Sequence, residues 1–208
     1  MDDVRLGSGS LAGTGVYAAR DFAAGEVVLD FELRAIDESE YLALPPGDDL
    51  FVHSYGGRRY LYPEPARFVN HADDPTCVQD FETSRNVALR PIAAGEPITI
   101  DARQETAREL DTFLDAYRAA LVEPSPDGLG GLVDRDAVLW RSGTAHRGRA
   151  AVVAALLAGD PLLPAGPEWE VGTGRWEALC SAGAGGRHLT LLLKIIEGNW
   201  QLRYLHLD

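Results

Sequence analysis

The sequence predicts two domains: a mainly β domain over residues 1–104, followed by an α+β domain with helices packed on one curved sheet over residues 105–208. Three observations predict it. Short β-branched and apolar runs separated by Gly and Pro fill the first half, with no long helical period. At residue 105 the apolar spacing changes to threes and fours, and the chain closes on runs of strand composition. With 208 residues, the chain is long enough for one large domain or two small ones, and the change of period decides for two.

The elements follow in order. Gly7-Ser-Gly-Ser10 and Gly13-Thr-Gly15 are breakers between short strands, and Glu26-Val-Val-Leu-Asp-Phe31 is a β-branched, apolar strand. Arg59-Tyr-Leu-Tyr62 is one short strand bounded by Pro63, and Asn86-Val-Ala-Leu89 and Pro97-Ile-Thr-Ile100 are two more. After residue 105, Leu110, Phe113, Leu114, Tyr117, Ala120 and Leu121 form one stripe of an amphipathic helix that Pro124 stops. A short strand at Ala137–Trp140 precedes a helix at Arg149–Leu157, with Gly148 before it and Gly159 and Pro161 ending it. Trp169–Leu179, His188–Ile196 and Trp200–Leu207 are strands, and Glu197-Gly198-Asn199 is the hairpin turn between the last two.

Composition limits the function. The chain is 46% hydrophobic and 25% charged, and it has no run of about 18 apolar residues, so membrane insertion is not expected. The start, Met1-Asp2-Asp3, is acidic where a secretory signal is basic, which makes the cytoplasm the expected location. Cys77 and Cys180 lie outside any CxxC or Cys/His cluster, so two free thiols and no metal are expected. The net charge is −13, with 19 acids against 9 bases through residue 105 and 13 against 10 after it. That field serves solubility first; it also repels phosphate backbones and attracts amines or basic peptides, so nucleic acid is not an expected partner.

Three segments in the first half carry a resemblance. They are Gly13-Thr-Gly-Val-Tyr-Ala18 with the later Asp21-Phe-Ala-Ala-Gly-Glu26, then Arg67-Phe-Val-Asn-His-Ala-Asp-Asp-Pro75, then Arg90-Pro-Ile-Ala-Ala-Gly-Glu-Pro-Ile-Thr-Ile-Asp101. In order and spacing they resemble the SET domain, a β-clip fold that binds S-adenosylmethionine and methylates lysine. The resemblance implies that Gly13, Gly15, Val16, Tyr17, Arg67, Asn70 and His71 bind the cofactor, with an amine or a protein lysine as acceptor. Glycines let the backbone approach a ligand, and an asparagine side chain supplies both donors and acceptors. The family places a tyrosine after the final aspartate, where this chain has Ala102, and a tyrosine near the end of the early strand, where it has Phe31. Tyr60 and Tyr62 are the candidates to supply catalytic hydroxyls.

The second half resembles the nuclear transport factor 2-like superfamily in the order of its elements. That resemblance implies a bent, cone-shaped sheet around helices, a pocket, and either isomerase, cyclase or dehydratase chemistry on a small molecule or a binding role such as homodimerisation. Candidate pocket groups are Tyr117, Trp140, His146, Trp200, His206 and Lys194. Lys194 and His146 are the candidate catalytic residues of this reading, since an amine among apolar neighbours is a candidate base.

Overall fold

The computed structural model describes residues 3–9, 13–158, 169–174, 176–184 and 187–207. Ser10, Gly159 and Pro161, read above as breakers, lie outside the described residues. The chain divides into two compact units, one made of Met1–Ile36, Leu44–His53 and Tyr60–Arg108, the other of Asp37–Ala43, Ser54–Arg59 and Glu109–Asp208.

In chain order the first elements are β1 (Val4–Ser8), β2 (Thr14–Ala18), β3 (Val27–Asp30), β4 (Arg34–Ile36), α1 (Glu38–Leu42), β5 (Val52–Tyr55) and β6 (Arg58–Leu61). Then come β7 (Asn70–His71), β8 (Cys77–Asp80), β9 (Arg85–Ala88) and β10 (Pro97–Ile100). The expected strands at 26–31, 59–62, 86–89 and 97–100 therefore form, each within a residue or two. Gly56 and Gly57, at φ +58° and +77°, turn β5 into β6 with the left-handed pair that a two-residue hairpin requires.

Two small sheets build the body of the first unit. One has the order β1-β2-β10-β7, the other β3-β9-β8. In the former, β10 runs antiparallel to β2, with Ile98 opposite Val16, and parallel to β7, with Thr99 opposite Asn70. Inward positions of both sheets, among them Val16, Ala18, Val28, Cys77, Ala88 and Ile98, share one core with Phe22 and Ile92. The two Ala-Ala-Gly-Glu segments are matched turns. Glu26 accepts the Ala23 N–H at 2.9 Å and Glu96 the Ala93 N–H at 3.0 Å, while Gly25 and Gly95 hold φ of +81° and +88°.

Helix α2 (Ala102–Val122) begins three residues before residue 105, where the change of period was expected. The Asp101 carboxylate accepts the Arg103 N–H at 3.1 Å, a capping bond that starts the helix early. From Leu110 onward its stripe packs as expected, with Leu110, Phe113, Leu114, Tyr117 and Leu121 buried in the core of the second unit.

The second unit continues with α3 (Pro126–Leu132), β11 (Val133–Arg141), β12 (Thr144–Arg147), α4 (Arg149–Leu157), β13 (Glu170–Thr173), β14 (Glu177–Ala184), β15 (Arg187–Ile196) and β16 (Asn199–Leu207). Where one strand was expected over Trp169–Leu179 there are two. Gly174 donates to the Glu177 carbonyl at 2.8 Å and closes a turn between them. The six strands form one sheet, β12-β11-β16-β15-β14-β13, with β11 parallel to β16 and every other neighbour antiparallel. It is an open sheet. Among the described residues β12 and β13 are its edges, and the cone-shaped sheet that the resemblance of the second half implies is not seen.

The inner face of this sheet is a leucine ladder, Leu189, Leu191, Leu193, Leu202, Leu205 and Leu207, each at most 4% exposed. Alternation along the strands sends the intervening residues outward. Glu197 and Gly198, at φ +50° and +69°, form the expected turn between β15 and β16.

Candidate functional site

The three sequence segments that carry the resemblance meet through Asn70 and His71. Strand β7 holds only these two residues, placed by parallel pairing with the end of β10. The Asn70 side chain donates to the Thr14 carbonyl at 3.4 Å, between Gly13 and Gly15. A Cβ on Gly15 would lie 3.1 Å from Asn70 Nδ2 and 3.1 Å from Gly9 Cα, so this close approach of backbone to side chain needs glycine. Gly13, at φ +79°, has open space where a Cβ would stand. His71 Nδ1 accepts the Ala102 N–H at 3.2 Å, which leaves the proton of the neutral ring on Nε2, 3.6 Å from Asp73 Oδ1. Asp101 stands 3.6 Å from the same ring, and its hydrogen bond from Arg103 holds its carboxyl below the usual carboxylate range.

The other expected cofactor residues fall differently. Val16 is 1% exposed and belongs to the core, opposite Ile98. The Tyr17 hydroxyl donates to the Ser8 carbonyl, and its ring packs against Gly7 with Arg5 over its face. Arg67 pairs with Glu64 and Asp48 and stacks over Phe51 and Phe68, so it braces the segment that leads into Asn70.

Beside this junction lies a cavity of about 200 Å³, whose wall includes Phe31, Tyr62, Gln79, Asn86, Ala102 and Glu105. Tyr60 does not line it. The two family positions where tyrosine is replaced, Phe31 and Ala102, therefore face the same cavity. Tyr62 is buried, with its ring centroid 5.2 Å from that of Phe31. Its hydroxyl donates to Glu105 Oε1 at 2.6 Å and accepts from Gln79 Nε2 at 2.5 Å. His53 Nδ1 stands 3.5 Å from the same Glu105 oxygen.

His53, Gln79, Asn86 and Glu105 were not legible as site residues. Glu105 follows Ala102 by three positions, hence on the same face of a helix, and Gln79 alternates inward with Cys77. Each is a signal only once the strand and helix bounds are known.

The candidate groups of the second unit are not gathered into one place. Tyr117 and Trp200 are buried in its core. The Tyr117 hydroxyl has no partner, burial raises its pKa, and the Trp200 indole donates to Glu109 Oε2 at 3.1 Å. Trp140 and His206 are register partners on the outward face, Trp140 being 40% exposed. Lys194 faces outward too, 3.4 Å from Glu177. His146 sits on the edge strand β12, opposite Leu139. Among the described residues no group of His, Cys, Asp and Glu is arranged to hold a metal ion, and no helix is long and apolar enough to cross a membrane.

Small β sheets that bring a glycine loop, an Asn-His strand and a Gly-Glu turn to one junction define a β domain in which the three segments meet. Residues 13–101 match the SET domain model, and this part of the chain belongs to the SET-domain family.

Solved structures of low identity are similar to parts of the chain. An NTF-2 like protein of unknown function from Silicibacter pomeroyi is 19% identical, with 51% of this chain and 97% of that chain covered and a TM-score of 0.39. A DUF3225 protein of unknown function from Pectobacterium atrosepticum is 18% identical over 48% of this chain and 86% of that chain, with a TM-score of 0.41. A humanized mutant of the Chaetomium thermophilum Polycomb Repressive Complex 2, bound to an inhibitor, is 20% identical over 49% of this chain and 15% of that chain, with a TM-score of 0.39. No curated protein matches the chain.

Proposed function

We propose that the first unit binds S-adenosylmethionine and directs its methyl group to an amine, with protein lysine the acceptor the family suggests. The observation that carries this reading is the junction at Asn70 and His71. One side chain is hydrogen-bonded into the glycine loop and the other onto the start of α2, so all three family segments support a single ligand surface. The residues fit such a cofactor, because the space beside Gly13 is open and the backbone around Gly15 is held too close for any side chain. When bound, the cofactor supplies an electrophilic methyl on sulfur. The chain supplies the rest: Asn70 and the glycine backbone bind, and Phe31 and Tyr62 exclude water from the cavity.

The acceptor must reach the methyl as a neutral amine in line with it, and such positioning is worth on the order of 7 kcal/mol or more. Ala102 offers no hydroxyl for that orientation. Tyr62 is the hydroxyl nearest to the task, although its proton is engaged by Glu105. The acidity of the first half favours a basic acceptor, and the cytoplasm is the compartment this reading requires. The second unit, most of which follows Arg108, serves here as a support or a dimerisation module. The alternative, small-molecule catalysis in a cone-shaped C-terminal pocket by Lys194 or His146, needs an acid–base set that the scattered positions of these groups do not assemble.

Isothermal titration with S-adenosylmethionine and S-adenosylhomocysteine tests the proposal. Micromolar binding, about −8 kcal/mol, that is lost in Asn70→Ala supports it. Absence of binding to the folded protein overturns it.

A further inference from the structure

The polar wall of the 200 Å³ cavity holds two buried acceptors without a donor. Gln79 and Asn86 are register partners on β8 and β9, both face inward, and they are 6% and 2% exposed. The Tyr62 hydroxyl has a single proton and gives it to the Glu105 carboxylate. The Gln79 group against the Tyr62 oxygen is therefore its NH2, and its Oε1 is turned elsewhere. That oxygen and Asn86 Oδ1 are both buried without a hydrogen-bond partner. Buried carbonyl oxygens are seldom left unpaired, so two neighbouring ones lining a cavity point to a donor that enters it.

Side chains directly opposite on antiparallel strands have Cβ atoms about 4.5–5.5 Å apart. Two neighbouring acceptors without donors suit a planar guanidinium, which has five donors and no acceptor, better than the compact, strongly hydrated ammonium. The rings of Phe31 and Tyr62, packed on each other with centroids 5.2 Å apart, form an apolar part of the wall. Arg67, also on the wall, has its two terminal nitrogens paired with Asp48 and Glu64, and its Nε is buried without a hydrogen-bond partner. At about 30 Å³ per water, the cavity has room for a guanidinium and a few methylenes.

We propose that this cavity is a receptor for a guanidinium head group, held by Gln79 Oε1 and Asn86 Oδ1. A guanidinium keeps its proton at physiological pH and is a poor nucleophile, so the cavity recognises this ligand without methylating it. The inference goes beyond the methyltransferase reading and does not depend on the cofactor.

The full chain is titrated without S-adenosylmethionine against N-propylguanidinium, n-butylammonium and the neutral N-propylurea. N-Propylguanidinium is expected to saturate one site, with the other two probes weaker by roughly tenfold or more. Gln79→Met, with its fold checked by circular dichroism, is expected to weaken guanidinium binding by a similar factor. Asn86→Asp, which adds a negative charge at the second acceptor, is expected to tighten it, and it carries the test if Gln79→Met does not fold. Equal or tighter binding of n-butylammonium or N-propylurea, indifference to either folded variant, or no saturable heat with N-propylguanidinium overturns the proposal. Because the cofactor is left out, these outcomes are independent of the titration with S-adenosylmethionine.

Discussion

Glu105 and Glu109 stand one turn apart on the same helix, are both buried, and are used in opposite ways. In the second unit both Glu109 oxygens serve packing. Oε1 accepts the Ser54 N–H at 2.8 Å and Oε2 the Trp200 indole at 3.1 Å, while the Ser54 hydroxyl bonds to Asn199. In the first unit Glu105 takes the Tyr62 proton in the wall of a cavity, beside two amide oxygens with no partner. A buried carboxylate whose acceptors are all used by the fold is structural. One set among orphaned acceptors in a cavity belongs to a ligand site.

The largest effect expected from this difference is on stability. Glu109→Ala leaves the Ser54 N–H and the Trp200 indole N–H buried without acceptors, at about 1–3 kcal/mol each, so a loss of about 2–6 kcal/mol is expected. Glu105→Ala exposes the Tyr62 hydroxyl to a cavity that water can enter, and about 1 kcal/mol is expected. Urea unfolding of both variants measures the two losses. Equal losses would break the distinction between the glutamates.

Much of the fold was legible because its signals are local. The stripe from Leu110 to Leu121, the strands of alternating leucines and the Glu-Gly turn each carry their period or their positive-φ residue in the sequence. The SET segments were legible for the same reason, since each is a short run. The start of α2 was missed because it depends on one carboxylate, Asp101, and not on apolar spacing. The cavity was illegible for a deeper reason. Gln79, Asn86 and Glu105 come from two strands and a helix, and only the pairing of β8 with β9 makes two ordinary amides into neighbouring acceptors. The candidate pocket of the second unit failed on alternation. Trp140 and His206 take outward positions, while Tyr117 and Trp200 take inward ones.

A smaller effect separates the units in acid. The carboxylates held below their usual range, Asp3, Glu26, Asp80, Glu96 and Asp101, all belong to the first unit. Their partners are Arg20 for Asp3, the Ala23 N–H and Arg20 for Glu26, Thr83 for Asp80, Arg90 for Glu96 and Arg103 for Asp101. A depressed carboxylate contributes stability that is full above its unfolded value, about 3.9 for Asp and 4.3 for Glu, and is lost as pH falls through the lower folded value. Below about pH 5 the first unit is therefore expected to loosen before the second. Hydrogen exchange followed by mass spectrometry from pH 6 to pH 3 reads this directly, and earlier loss of protection in β14–β16 than in β2 and β10 would reverse the assignment.

The smallest effect is kinetic and uses one cysteine in each unit. Cys77 and Cys180 are both fully buried, and burial pushes each thiol up to about 11. At pH 8 the thiolate is then on the order of one part in a thousand, so alkylation of the native protein is slow at both sites and proceeds through opening. Cys180 lies on a central strand of the leucine-lined sheet. Cys77 lies on an edge strand of a three-stranded sheet, two residues from the orphaned Gln79 oxygen. Short strands and unpaired buried acceptors mark the less stable unit, so Cys77 is expected to react first with iodoacetamide, as read by peptide mass. Saturation with N-propylguanidinium is expected to slow Cys77 and leave Cys180 unchanged, because a ligand protects only the unit whose folded form it binds. Equal slowing of both thiols would mean that the two units open together.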